Sequence, residues 1–271
     1  MKRVCICVMV CVLILCSSCS YSVGERDGSA HAILDYENNR IIMPLDQYAD
    51  FSEVQYYNMA VDILYKRCYE EKGGVYSINP PGVSILGQGR EFGLWNPEET
   101  KKHGLYQRDN RDGFVDNSGV ERKYQKECYE EKVKQQLQDI GDLPFFGATY
   151  EMVRGQAISS ASLNPEWRKA REKWFGCMRE QGLTPRTHNT EWSVLEESGL
   201  DTSGSPSEEE IRIATIEAQC SKDTGMAQTL ADLVASYQAP LIKKHEVQLQ
   251  KELDEYKANN EKFKKFVLDN Q

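Results

Sequence analysis

Apolar residues recur at spacings of three and four over most of this chain, and that period predicts helices. The first is expected over about residues 51–72, where Val54, Tyr57, Val61, Leu64, Tyr65 and Cys68 form one stripe and Gly73-Gly74 supplies the stop. A second runs over about 119–139, with Val120, Tyr124, Cys128, Val133 and Leu137 on one side. A third opens at Asn164-Pro165, an N-cap followed by a proline at the first helical position. It carries Trp167, Ala170, Trp174, Cys177 and Met178, and it closes at Gly182. Ser207 with Glu210 reads as a capping box that opens a helix bearing Ile211, Ala214, Ala218 and Cys220, with a break at Gly225. From Met226 onward the pattern is almost purely helical. Leu230, Leu233, Tyr237, Leu241, His245, Leu249, Leu253, Tyr256, Phe263 and Phe266 keep one seam, and Pro240 is expected to kink or split it. Beyond Leu249 the seam is thin and the other faces are charged. That pattern suits either a coiled-coil-like arm toward a protein partner or the edge of a bundle. The expected class is mainly α: a disulfide-stapled helical bundle with loop-rich connections and a long C-terminal helix.

Between the helices the signals are those of loops. "IIMPLDQY" (41–48) is a short apolar stretch read as a brief edge strand. Residues 79–106 are loop-rich around one marked turn: Asn96 as N-cap, Pro97 next, Glu98 and Glu99 at the positive end of the dipole, and Gly104 as the stop. "RDNRDGFVDNSG" (108–119) is a turn cluster, and 183–206 is a linker rich in Thr, Ser, Gly and Pro.

The N-terminus has a different character. Lys2 and Arg3 precede Val4 to Leu15, about twelve uncharged residues, too short to cross a bilayer core. A basic head, a short apolar run and then small residues make the pattern of a secretory signal peptide. Ser17-Ser18-Cys19 resembles the lipobox of bacterial lipoproteins, with Cys16 standing where Leu is usual. The resemblance implies that 1–18 is a signal peptide and that Cys19 becomes the lipidated first residue. Residues 19–48 then form a tether and docking segment, and 49–271 a helical domain. The anchor implies attachment to the cell membrane, facing outside the cytoplasm. Cysteine parity agrees: with Cys5, Cys7, Cys11 and Cys16 removed and Cys19 acylated, Cys68, Cys128, Cys177 and Cys220 remain as an even set. An exported chain sits where disulfides persist. Four cysteines allow three connectivities.

Net charge is −9, and it becomes −11 once Lys2 and Arg3 leave. An acidic surface argues against nucleic acid and against holding anionic lipid by charge, so the acyl chains carry the membrane attachment. The chemistry-bearing patterns are weak. "GQGREFG" (87–93) misses the dinucleotide spacing by one residue and has no βαβ context. Aligning Asp112-Gly113 with a calcium loop puts Arg108 and Gly119 at its end positions, which leaves Asp109, Asp112 and Asp116 as an irregular set on a solvated turn. His31, His103, His188 and His245 lie in no HExxH, GxSxG and SxxK are absent, and Cys68, Cys128, Cys177 and Cys220 form no CxxC. Trp167 and Trp174 share a helical face and could line a sugar groove, although aromatics at that spacing normally belong to a core. No catalytic, cofactor-binding or metal-ligating residue is assigned, and no cofactor is expected.

"KRCYEEKG" (66–73) matches "KECYEEKV" (126–133), and "GCMREQGL" (176–183) shares a helix-then-glycine layout with "AQCSKDTG" (218–225). Either the chain comprises two related halves, 49–141 and 164–271, or Glu/Lys-rich helix ends coincide. Pairing within halves would join Cys68 to Cys128 and Cys177 to Cys220.

"PLDQY" (44–48), "REFGLWNPEETKKHGLY" (90–106), "NPEWRKAREKWFGCMREQGL" (164–183) and "IATIEAQCSKDTGMAQTL" (213–230) together resemble a family of actinobacterial secreted and lipid-anchored proteins with no established activity. Tyr69 departs from that pattern, in which Met often follows the first cysteine. The resemblance implies architecture and export, and no site residues. The function expected is non-enzymatic: an extracytoplasmic binding or accessory module serving a transporter or the cell envelope. The alternative is an envelope hydrolase acting on peptidoglycan or peptide. Non-reducing peptide mapping of the exported protein should recover peptides linked 68–128 and 177–220; a linked 68–177 peptide would exclude pairing within halves.

Overall fold

The computed structural model describes residues 24–49, 54–74, 76, 91–105, 122–142, 147–188, 191–201 and 205–270. The segment expected as a signal peptide, with Cys19, and the turn cluster expected at 108–119 lie outside them. In chain order the elements are a two-stranded antiparallel hairpin of β1 (Ile33–Asp35) and β2 (Arg40–Ile42), a 3-10 turn (Pro44–Tyr48), α1 (Val54–Glu71), α2 (Pro97–His103) and α3 (Arg122–Cys128). A π-helical turn (Tyr129–Val133), α4 (Lys134–Ile140), α5 (Ala148–Leu163), α6 (Pro165–Glu180), a 3-10 turn (Leu195–Glu197), α7 (Glu208–Thr224) and α8 (Met226–Asp269) follow. The protein is mainly helical, with two disulfides and a long C-terminal helix.

Local chemistry sets many of these boundaries. Asn96 and Asn164 accept the N–H groups of Glu98 (3.3 Å) and Glu166 (2.9 Å), and a proline follows each cap. Gly225 takes φ +66°, a left-handed joint that a side chain would strain, so α7 ends there and α8 begins one residue later. The capping box at Ser207 is only half formed. Ser207 Oγ accepts the Glu210 N–H at 3.1 Å, but the Glu210 carboxylate turns inward and accepts the Leu105 N–H at 3.1 Å, which ties the exit of α2 to α7. In the second helical stripe Cys128 and Val133 are five residues apart, one more than an α-helix tolerates on a single face. The π-helical turn absorbs the extra residue and keeps Cys128, Val133 and Leu137 all buried.

α8 is the spine. Its 44 residues span about 66 Å, and its buried seam meets three apolar clusters in succession. Leu230, Leu233, Val234 and Tyr237 enter the largest, with α6, α7 and Trp95. Ile242 and Leu249 join Leu45, Tyr150 and Val153. Phe263 and Val267 complete the third, with Ile63 and Leu64 of α1, Val133 and Leu137. The terminal segment read as an arm or a bundle edge therefore has Leu253, Tyr256 and Phe263 covered by its own chain. Each outer lobe carries one disulfide: Cys177–Cys220 joins α6 to α7, and Cys68–Cys128 joins α1 to the end of α3. Their Cα separations of 5.6 and 5.8 Å are ordinary for bridges. Closing loops of 43 and 60 residues stabilises by roughly 4 kcal/mol each in the chain-entropy model.

Pro240 does not divide α8, which is continuous through it. Proline has no N–H to give the carbonyl four residues back, that of Ser236. The Asp27 N–H reaches that carbonyl instead, at 2.7 Å. Two further backbone groups of the N-terminal segment are met by α8 side chains: Asp232 accepts the Ala32 N–H (2.9 Å) and Gln238 accepts the Leu45 N–H (3.2 Å). Gln228 donates to the Ala32 carbonyl at 3.0 Å. These bonds run along the first half of α8.

α5 was not expected from the sequence. Its contact face is Tyr150, Val153, Ala157 and Ala161, and its N-cap, Gly147, has no side chain to announce a start. Glu252 of α8 caps it from a distance, accepting the N–H groups of Thr149 (3.1 Å) and Tyr150 (3.3 Å) and the Thr149 hydroxyl (2.6 Å). A Cβ at position 147 would collide with that carboxylate. Burial pushes the Glu252 pKa up, but the bonds from Thr149, Gln248 and Tyr150 together pull it further down, so it settles below its ordinary value.

Two predictions follow from the spine. Asn260 is 1 % exposed, and its amide oxygen and nitrogen have no hydrogen-bond partner among the described residues. Asn260→Leu should therefore raise unfolding stability in urea by about 1–2 kcal/mol, and a loss of stability would show that the amide is bonded. Because the folded-state pKa of Glu252 is depressed, its contribution is full above the ordinary glutamate pKa and disappears as pH falls through the lower folded value. Glu252→Gln should cost about 0.5–1 kcal/mol at neutral pH, and the gap from wild type should close as pH falls through the depressed folded-state value. A gap independent of pH would contradict the cap.

Candidate functional site

The two tryptophans that could have lined a groove are core. Trp167 and Trp174 are buried, and the Trp174 indole donates to the Glu217 carbonyl at 3.2 Å. Between them on α6, Arg171 lies against the rings of Phe175 (5.0 Å) and Trp192 (4.7 Å). It donates to the carbonyls of His188 and Glu191, both at 2.8 Å, and so closes the 183–192 loop over the helix. Burial lowers its pKa, yet guanidinium remains charged at any physiological pH. The fully buried carboxylates among the described residues are Glu210 and Glu217, both on the inner face of α7 and sealed from solvent.

The histidines do not converge. His31 sits 3.5 Å from Asp232 and His103 3.5 Å from Glu99, while His188 is exposed and His245 is half-buried on α8. Among the described residues no group of three or more His, Cys, Asp or Glu could hold a metal, and no helix is long and apolar enough to cross a membrane. Cys68, Cys128, Cys177 and Cys220 are consumed in the two bridges. Cys19, the proposed acceptor of lipid, lies outside the described residues, as do Asp109, Asp112 and Asp116.

One surface does gather chemistry. Seven of the 14 tyrosines, at positions 56, 57, 65, 69, 76, 124 and 129, belong to the lobe built by α1, α3 and the π-helical turn. The Cys68–Cys128 bridge lies buried in that lobe and fixes α1 against α3. Tyr65 stacks on Tyr76 at 5.9 Å, Tyr76 meets Tyr69 at 5.3 Å, and Tyr69 takes the ring of Tyr124 edge-on at 6.2 Å. Tyr57 sets its ring edge-to-face with Phe263 of α8 at 5.3 Å. Tyr69 is buried, while Tyr57, Tyr65, Tyr76 and Tyr124 are half-buried. Tyr129, in the π-helical turn, is 43 % exposed. The Tyr76 hydroxyl donates to Asp62 at 2.8 Å. Lys72–Glu127 (3.3 Å) and Lys132–Glu71 join α1 to the α3 side of the lobe as partly exposed pairs, each worth little on its own.

Burial pushes the phenols of Tyr57, Tyr65, Tyr69 and Tyr76 above their ordinary pKa, Tyr76 with help from Asp62. They stay protonated at neutral pH. The lobe thus offers aromatic faces with neutral hydroxyls, which suits stacking and hydrogen bonding. The sequence reading counted several of these tyrosines as stripe residues. Their signal was the recurrence of Tyr57, Tyr65 and Tyr69 at multiples of four on one helix, but that α3 brings Tyr124 to the same place follows only from the fold. No family model, curated protein or solved structure matches this chain.

Proposed function

We propose that this protein is an extracytoplasmic binding or accessory module, lipid-anchored through Cys19 to the outer face of the cell membrane, that captures an envelope saccharide or peptide on its tyrosine lobe. In this role it serves a transporter or the cell envelope. The observation that carries the reading is the cluster of half-exposed, neutral tyrosines held by one disulfide. Amphipathic rings of this kind give contact area at low entropic cost and adapt their hydroxyls to a polar ligand. A protein partner at the C-terminal helix would meet the outer face of α8, where Val247 and Leu268 are exposed, because the seam itself is used within the chain. Nucleic acid is not a partner of so acidic a chain.

Intact-mass spectrometry of membrane-extracted protein should show a diacylglycerol adduct on a chain beginning at Cys19 and no free thiol. An unmodified chain with four free thiols would overturn the anchor. Titration of the detergent-solubilised full chain with peptidoglycan fragments and envelope peptides, followed by tyrosine emission, should saturate. Paired replacement of Tyr65 and Tyr129 by Ala should weaken that binding about tenfold. Affinity unchanged by the replacement would remove the lobe from the reading.

A further inference from the structure

We infer that the corner between α5 and α6 faces the lipid headgroups, an inference that rests on lipidation at Cys19. Five residue steps separate Cys19 from Gly24, and covalent geometry limits them to about 17 Å. From Gly24 onward the chain is held. Gly24 lies against Ser160 of α5, a Cβ built there standing 3.5 Å from its hydroxyl. Arg26 pairs with Glu166 of α6 at 3.7 Å, and the Asp27 N–H occupies the Ser236 carbonyl that Pro240 leaves unbonded. A tether that can reach no further than this keeps Gly24, beside the corner, within about 17 Å of the Cys19 backbone, on a protein whose spine alone is about 66 Å long.

The surface around that point fits such a neighbour. No charged residue lies between Arg154 and Glu166, and the end of α5 presents Ser159, Ser162 and Leu163, the last 54 % exposed. Beside it Arg26, Arg168 and Lys169 balance Glu25, Asp27 and Glu166. The corner is thus close to neutral on a chain of net charge −11 once Lys2 and Arg3 leave, so it meets little repulsion from an anionic leaflet. Leu163 stands where an apolar side chain can enter the interface. Phe263, which packs against the tyrosines, lies 27 residues along α8 from Ser236, about 40 Å at helical rise. The docked start of the described chain and the proposed binding surface therefore lie about 40 Å apart along the spine.

Benzophenone photocrosslinking tests this in the full acylated chain, reconstituted in vesicles of phosphatidylethanolamine and phosphatidylglycerol. Leu163→p-benzoylphenylalanine should give several-fold more phospholipid adduct than Leu268→p-benzoylphenylalanine, which probes an exposed leucine near the far end of α8. A long Gly/Ser insert between Ser22 and Val23 should reduce the adduct at 163 several-fold. Intact mass of the same samples separates the two levels of the argument. Acylated protein that labels lipid no better from 163 than from 268, or whose labelling ignores the insert, overturns the orientation and leaves the anchor standing. Protein without the acyl adduct overturns both.

Discussion

Everything in this protein leans on the apolar seam of α8. A helix of 44 residues cannot leave such a seam in water, and no single cluster is long enough to cover it. The chain covers it three times over. α6 and α7 take the first third, α5 and the 3-10 turn at Pro44–Tyr48 take the middle, and α1 with α4 and the π-helical turn takes the last. The two disulfide-stapled helix pairs thereby become lobes of one molecule. The last turns of α8 complete the lobe built from the first half of the chain, so succession in sequence and association in space part company there.

The middle of the spine is bound by polar chemistry as much as by apolar contact. Glu252 finishes the N-terminus of α5. Asn259 grips both backbone groups of Asp142, with bonds of 2.9 and 2.6 Å, where α4 ends. Pro240, which costs an ordinary helix a hydrogen bond, here leaves a carbonyl that receives the N-terminal segment. Proline, glutamate and asparagine at these positions would each look unfavourable or neutral in α8 considered alone. Each is explained by a backbone group that another segment brings to it.

The tyrosine lobe and the membrane-facing corner make a consistent pair of proposals. With Cys19 acylated, the contacts of Asp27, Ala32 and Leu45 with the first half of α8 would hold that corner near the bilayer. The neutral phenols at the other end form a surface that can bind without reacting. Acidity elsewhere on the chain favours separation of that surface from an anionic leaflet.

The helical class, the caps at Asn96 and Asn164, the stops at Gly73 and Gly182 and the seam of α8 were all legible in the sequence. They depend on interactions within a few residues or on a period that one helix imposes on itself. The π-helical turn was not expected: the stripe at 119–139 reads as one unbroken helix, and the five-residue step from Cys128 to Val133 is accommodated only in the folded structure. α5 was not legible, because its buried face is largely alanine and its cap comes from Glu252, about a hundred residues away. The inward turn of the Glu210 carboxylate and the gathering of Tyr65, Tyr76 and Tyr124 were hidden for the same reason. A side chain's local pattern states which face it occupies, whereas its partner is chosen only when distant segments are packed together, and that choice belongs to the tertiary structure.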